Sequence, residues 1–308
     1  MNLSQANRLG EQAFECRLGD DTLRGIVHVP ATPLGIGLVL MPAGYKYRTG
    51  PHGFYVRLAR VLARHGIHVL RADFRGLGYS DGELPQGMIQ KLWQNVEDGC
   101  FSDDAAALAD ALRARFGLSH IAAGGICGGA ITAQAAAAAR PGSIDSLVEI
   151  NAPVVRTRMP GKAAPKRTQE IEREKANYFR KFLSWSAWRR VLTGASDYGS
   201  IFRTLFSRTG KSEADSAPDV SVNPLFDSSF EQTNAHGTFK LMLFGGKDAR
   251  WFDFADLYLA TRLSGRESGN SWRVEIVPDA NHEMFLEAWQ ADAVSRIDAF
   301  LHERAAGR

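Results

Sequence analysis

Three side chains have the types and the chain order of a nucleophile, an acid and a base. Cys127 stands in Gly-Gly-Ile-Cys-Gly-Gly, directly after a predicted buried strand and before an alanine-rich helical stretch. Asp248 follows a second apolar run and His282 follows a third. Because open α/β sheets place their sites at the carboxyl ends of strands, we expect the three to meet there. We predict a Cys127 nucleophile, a His282 base and an Asp248 that orients His282.

The glycine-rich sequence around Cys127 predicts a tight strand–turn–helix with the thiol at its apex. Gly125 and Gly129 lie two residues before and after it, where strand and helix must approach closely. A thiol with an ordinary pKa of ~8.5 is only a few per cent thiolate at neutral pH, so the helix N-terminus and His282 are expected to raise that fraction. The alternative is a buried cysteine in a structural βα turn.

The acid and the oxyanion donors leave alternatives open. Asp227 or Asp253 could replace Asp248, and Asp279 lies only three residues from His282 in the same loop. Met-Pro-Ala-Gly-Tyr at 41–45 also follows a strand. We predict an oxyanion hole made by the backbone N–H groups of Gly128 and Tyr45, with an uncertainty of one residue at Tyr45; the alternative is an ordinary Pro-Gly turn.

The loop at 73–82, Asp-Phe-Arg-Gly-Leu-Gly-Tyr-Ser-Asp-Gly, is interpreted as structural. Its glycines are expected to make turns, with Asp73 and Arg75 anchoring the loop. Ser80 is not predicted to be a nucleophile.

Alternating strand and helix patterns predict an α/β fold with a mostly parallel central sheet flanked by helices. An edge hairpin is predicted from 14–18 and 23–29. The other predicted strands are 36–41, 67–72, 121–125, 146–150, 240–244 and 273–277, and the predicted helices are 52–65, 103–115, 128–140, 252–263 and 287–303.

The alternation stops after Asn151 and resumes near residue 240. We therefore predict a core of residues 1–151 and 237–308 with a helical cap insertion at 152–236. Aromatic residues recur at helical spacing from 178 to 188, as an acyl pocket or a packing face would require. Between Arg156 and Arg190 there are eleven Lys and Arg against three Glu. Such a surface would attract acyl-CoA phosphates or an acidic acyl carrier protein, although composition alone favours a solvated helix face.

Together, the turn at Cys127, Asp248, His282 and the loop at 73–82 resemble the α/β-hydrolase superfamily. More narrowly, Ala-Gly-Tyr-Lys-Tyr-Arg-Thr-Gly-Pro-His at 43–52, the Gly-x-Cys turn and Asn-Ala-Pro-Val-Val-Arg-Thr at 151–157 resemble the type 1 hydrolases of exosortase A systems. Those relatives also tend to carry cysteine in the turn. The resemblance implies an α/β-hydrolase fold with a helical cap and a cysteine-dependent acyl-transfer site, and it leaves the substrate undefined.

The predicted function is a cysteine-nucleophile esterase or thioesterase acting on a small acyl ester or thioester. The alternatives are an acyltransferase with the same residues and a non-catalytic ligand-binding homologue. The formal charge of +3 and the absence of a basic stripe interleaved with aromatics argue against nucleic acid. No apolar run predicts a membrane span or a signal peptide, which predicts a cytoplasmic protein. Three scattered cysteines and unpaired histidines predict neither disulfides nor a metal or other cofactor.

Overall fold

The computed structural model describes residues 10–84, 89–156, 222–264 and 271–307. Its strands are β1 (Glu11–Leu18), β2 (Asp21–His28), β3 (Ile36–Leu40), β4 (His68–Ala72), β5 (His120–Ile126), β6 (Ser146–Ile150), β7 (Phe239–Gly245) and β8 (Trp272–Val277). Its helices are α1 (Phe54–Arg64), α2 (Ile89–Glu97), α3 (Ser102–Phe116), α4 (Gly128–Ala139), α5 (Pro224–Ala235), α6 (Ala249–Phe254) and α7 (Glu287–Ala305). A 3₁₀ turn, Pro51–Gly53, precedes α1, and α6 continues through a π-helical turn (Ala255–Leu259) and a last helical turn (Ala260–Arg262).

The eight described strands form one sheet in the order β1-β2-β4-β3-β5-β6-β7-β8. The β1–β2 and β2–β4 pairs are antiparallel, and all pairs from β4 to β8 are parallel. The carboxyl ends of β5, β7 and β8 therefore lie at the same edge. This confirms the predicted α/β class with a mostly parallel sheet.

Each central strand contributes side chains to two apolar layers because successive residues point to opposite faces. In β3, Val39 joins the layer under α3 and α4, and Leu38 joins the layer under α1 and α7. In β6, Leu147 joins the layer under α3 and α4, and Val148 joins the layer under α1 and α7. Burial on both faces explains why these strands read as continuous apolar runs in the sequence.

The predicted strands agree with the observed ones to within two residues at each end, except that β1 begins three residues earlier than predicted, and four of the predicted helices agree equally well. The fifth, at 252–263, begins earlier because the Asp248 side chain accepts the Arg250 N–H at 3.1 Å and so caps α6. Two helices, α2 and α5, were not predicted. No helix within the described residues has the length and apolar character needed to cross a membrane.

Residues 157–221 of the predicted cap lie outside the described residues, so the cap remains a prediction. Helix α5 falls within the predicted range 152–236 and contacts the core: Gln134 Nε2 in α4 donates to the Phe226 carbonyl at 3.0 Å. Val155 and Val222 pair in an isolated antiparallel bridge, and the Asn223 N–H donates to the Val154 carbonyl at 2.8 Å.

Candidate active site

Cys127 occupies the turn between β5 and α4. Its backbone has φ 56° and ψ −116°, a left-handed conformation that is uncommon for a residue with a side chain. The Cys127 N–H donates to the Ile150 carbonyl at 2.8 Å, and the Cys127 carbonyl accepts from Ala130 at 3.0 Å. Bonds on both sides of the turn therefore hold the strained backbone, as the sequence predicts for a nucleophile in this position.

The two flanking glycines are needed because backbone passes close to both. A Cβ on Gly125 would lie 2.5 Å from the Met41 carbonyl oxygen and 2.7 Å from the Tyr55 hydroxyl. A Cβ on Gly129 would lie 2.6 Å from the same Met41 oxygen. The crowding therefore comes chiefly from the end of β3 and from α1, in addition to the predicted approach of strand and helix, where Gly129 Cα is 3.3 Å from that position on Gly125.

His282 lies between Asp248 and Cys127. Its Nδ1 is 2.7 Å from Asp248 Oδ2, and a carboxylate only accepts, so the Nδ1 proton points to Asp248. The Cys127 thiol is within hydrogen-bonding reach of the same imidazole. Asp248 is buried at the start of α6. The structure thus brings together the three residues that the sequence selected.

The pKa of His282 is raised from its ordinary value of 6.5 to about 9. Burial lowers it, but the hydrogen bonds to Asp248 and Cys127 and the negative charges of these groups raise it by more. The sign is that of a histidine that keeps its proton at neutral pH and loses it as the pH rises through about 9.

The alternative acids have other partners. Asp227 accepts hydrogen bonds from the Tyr258 hydroxyl at 3.2 Å and from Arg262 at 2.7 Å. Asp253 lies 3.6 Å from Arg250, and Asp279 is exposed and forms an ion pair with Lys247. Of the four carboxylates, Asp248 is the one that contacts His282.

Asn151 fixes the backbone around both His282 and Asp248, and sequence reasoning assigned it no role. This fully buried residue directly follows β6 and has φ 49°, a conformation that Asn tolerates better than most residues. Its Nδ2 donates to the His282 carbonyl at 2.8 Å, and its Oδ1 accepts the Gly245 N–H at 2.8 Å. One amide therefore ties the histidine loop to the turn that leads into Asp248.

The loop at 43–46 approaches the N-terminus of α4, but Tyr45 does not line the cavity at Cys127. Its ring packs edge-on against Phe101, with centroids 5.6 Å apart. Ala43 and Lys46 line the cavity, and the Gly44 nitrogen lies 3.0 Å from where a Cβ on Gly128 would stand. Of the predicted oxyanion pair, Gly128 lines the cavity, and the donor role of the Tyr45 backbone N–H stays a prediction.

A cavity of about 330 Å³ opens at Cys127 and His282, within the size range of small-molecule sites. Most of its lining is apolar, and the charged side chains that line it are Lys46, Glu97, Arg250 and Glu283. Lys46 and Glu283 pair at 2.7 Å. No group of three possible metal ligands occurs in the part of the chain that the structure describes.

The loop at 73–82 supports the site without entering the cavity. The Asp73 carboxylate accepts the Arg48 backbone N–H at 2.8 Å and pairs with the Arg48 guanidinium. Arg75 binds Asp104 through its Nε at 2.8 Å, and the Ser80 hydroxyl donates to the Asp73 carbonyl at 2.7 Å. These contacts agree with the predicted anchoring role, and the Ser80 hydroxyl is used in a hydrogen bond within the loop.

Helix α2 supplies a cavity wall that sequence reasoning missed. Trp93, Val96 and Glu97 line the cavity, and the Trp93 ring packs on Gly44, where a Cβ would be 2.6 Å from the ring. Gly44 has φ 65°, so both its backbone and the ring require glycine. The apolar spacing of residues 89, 92, 93 and 96 is the signal that could have revealed this helix.

The family model described as the alpha/beta hydrolase fold matches residues 38–296. A search of curated proteins finds no match.

Among solved structures, the esterase Pf2001 of Pyrococcus furiosus shares 16% identity over 97% of this chain and 95% of its own, with a TM-score of 0.56. A dienelactone hydrolase from Anabaena variabilis shares 15% identity over 95% and 97% of the two chains, with a TM-score of 0.53. Est1E of Butyrivibrio proteoclasticus, solved with ferulic acid, shares 15% identity over 96% of this chain and 100% of its own, with a TM-score of 0.54. At this identity the likeness is one of fold.

Proposed function

Since this chain belongs to the α/β-hydrolase fold family, we propose that it cleaves carboxylic esters or thioesters through an acyl-cysteine formed on Cys127. The observation that carries the proposal is the position of His282, which contacts the Asp248 carboxylate on one side and the Cys127 thiol on the other. The resemblance to the exosortase-associated type 1 hydrolases agrees with this role for cysteine and stays a prediction.

In the proposed reaction the Cys127 sulfur attacks the carbonyl carbon and its proton resides on His282. The resulting oxyanion accepts one hydrogen bond from the Gly128 backbone N–H and one from a backbone N–H of the loop at 43–46, where Tyr45 is the predicted donor and Ala43 and Lys46 line the cavity. Collapse breaks the carbon–oxygen or carbon–sulfur bond, and His282 protonates the departing alcohol or thiol. His282 then removes a proton from water, hydroxide attacks the acyl-cysteine, and the acid leaves as the thiolate is restored.

Transfer to an acceptor is the second candidate. The acyl-cysteine is itself a thioester and reacts with amines, alcohols and thiols as well as water. The largely apolar lining beside Cys127 favours it, because an apolar wall offers water few hydrogen-bonding partners. The proposed leaving groups include coenzyme A and an acyl carrier protein. Their predicted contact surface, residues 156–190, is described only at Arg156, so they rest on the sequence.

The test is the intact-protein mass after brief exposure to a panel of acyl thioesters and activated esters, with released acid followed in parallel. We expect a mass gain or acid release for the native protein and a loss of at least ~1000-fold in Cys127→Ala. Cys100→Ala, which removes an exposed thiol, is the matched control and should behave as the native protein.

Added amine or alcohol acceptors distinguish the two candidates. Acid release at a rate independent of acceptor supports hydrolysis, and acylated acceptor supports transfer. Neither acylation nor turnover with any member of the panel would favour the non-catalytic ligand-binding homologue and overturn the proposal.

A further inference from the structure

The hydroxyl of Tyr55 connects the two backbone segments that meet at the candidate site. Tyr55 is the second residue of α1 and is fully buried. Its hydroxyl donates to the Met41 carbonyl at 3.0 Å and accepts the Ile126 N–H at 2.6 Å. Met41 directly follows β3 and precedes the loop at 43–46, whereas Ile126 directly precedes Cys127. A single oxygen atom therefore joins the loop proposed to donate to the oxyanion and the turn that holds the thiol.

The direction of both hydrogen bonds follows from their partners. The Ile126 N–H can only donate and the Met41 carbonyl can only accept, so the one phenolic proton lies toward Met41. Burial raises the pKa of Tyr55, which keeps this proton in place despite the Ile126 hydrogen bond, and the charge of Cys127 acts in the same direction as burial.

The position of the Tyr55 ring is itself fixed. A Cβ on Gly50 would lie 2.6 Å from Tyr55 Cγ, so the backbone of the preceding loop rests on the ring. The Tyr55 N–H donates to the Thr49 carbonyl at 3.2 Å. At the other end, a Cβ on Gly125 would stand 2.7 Å from the hydroxyl. The hydroxyl therefore has little freedom to move away from either segment.

We infer that Tyr55 is a positioning residue that sets the distance between the Cys127 thiol and the oxyanion donor of the loop at 43–46. The inference rests on the proposed function. Acyl transfer requires both groups around one carbonyl, and a misplacement of about 1 Å lowers such a rate by ~100-fold. Alkylation of the thiol by iodoacetamide displaces iodide at a saturated carbon, forms no oxyanion and so needs the thiolate alone.

The experiment compares these two reactions in Tyr55→Phe, which removes one oxygen atom. Acylation and kcat should fall ~10- to 100-fold, KM should change by less than about threefold, and alkylation of Cys127 should stay within about twofold of the native rate. Tyr258→Phe is the matched control, because it also removes the hydroxyl of a buried tyrosine, one bonded to Asp227. It should leave both reactions unchanged.

Two results would overturn the inference: unchanged acylation in Tyr55→Phe, or alkylation that falls in parallel with acylation, which indicates a damaged thiol site instead of altered spacing. 4-Aminophenylalanine at position 55 keeps the ring and a hydrogen-bonding group, and it covers the case in which Tyr55→Phe does not fold. It should retain acylation to within about tenfold, and a loss as deep as that expected for Tyr55→Phe would also count against the inference.

If the native protein is neither acylated nor turns over any substrate, the proposed function is wrong, whether or not Tyr55 links the two segments. Hydrogen exchange then tests Tyr55 directly. Amides at 41–47 and 124–130 should exchange faster in Tyr55→Phe than in Tyr258→Phe, and equal exchange would refute the link between the two segments.

Discussion

Replacing Asp248 by Asn tests the acid in its contact with His282. The change keeps the size of the side chain and removes the charge that faces Nδ1 at 2.7 Å. The hydrogen bond and the charge of Asp248 are among the causes that raise the His282 pKa to about 9, and the Cys127 contributions remain in the variant. Burial lowers the pKa of His282 in both proteins, so in the variant that pKa should fall below 9.

The size of the effect follows from the protonated fraction of His282. At pH 8.5 this fraction is roughly three quarters for a pKa of about 9 and roughly one per cent for a pKa of 6.5. A fall of the His282 pKa to 6.5 would lower kcat/KM at pH 8.5 by about 70-fold through protonation alone, and a smaller fall of the pKa would lower it less. Loss of the productive tautomer adds to this, by up to ~10⁴-fold in the serine-based triad.

The assay is the pH profile of kcat/KM between pH 5 and 10.5, together with NMR titration of the His282 ring. The native profile should descend near pH 9, and in Asp248→Asn the descending limb and the NMR midpoint should move together to lower pH. Asp279→Asn is the control, because it removes an exposed carboxylate of the same loop that pairs with Lys247. A His282 midpoint that stays at its native value in Asp248→Asn would refute the reasoning.

Two further predictions concern the supports of the site. Gly125→Ala should lower the free energy of unfolding by about 1–3 kcal/mol in urea titration, because its Cβ would lie 2.5 Å from the Met41 oxygen. In the control Gly246→Ala the Cβ meets nothing closer than 3.4 Å, so the free energy of unfolding should change by less than about 0.5 kcal/mol. Equal effects of the two substitutions would contradict the crowding at Gly125. Asn151→Gly permits φ 49° but removes both amide hydrogen bonds. We expect kcat to fall about tenfold and the free energy of unfolding to fall by about 2–4 kcal/mol. An unchanged kcat would show that the amide does not hold His282.

The sheet was predictable because its central strands are buried on both faces and appear as uninterrupted apolar runs. The meeting of Cys127, Asp248 and His282 followed from the same strands, since each residue comes shortly after a strand whose carboxyl end lies at one edge. The choice of Asp248 over Asp227, Asp253 and Asp279 needed distances, because all four carboxylates lie near helices or turns in the sequence.

The residues that hold the site in place could not be predicted from the sequence, for a physical reason. The amide of Asn151 and the hydroxyl of Tyr55 act on backbone groups far away in the chain, and no spacing in the sequence encodes such contacts. The loop at 43–46 reaches the cavity through Ala43 and Lys46, and the assignment of its oxyanion donor to Tyr45, whose ring packs against Phe101, stays a prediction. The cap and its basic surface remain predictions from composition.

The bridge between Val155 and Val222 brings together the two ends of the chain segment that connects them. Paired residues of neighbouring strands lie only ~5 Å apart, so the chain leaves the core and returns to it at nearly the same point. A short turn could close that gap while every strand pairing of the described sheet is kept. A change in the length of the chain between these two valines therefore leaves the framework of Cys127, Asp248 and His282 in place.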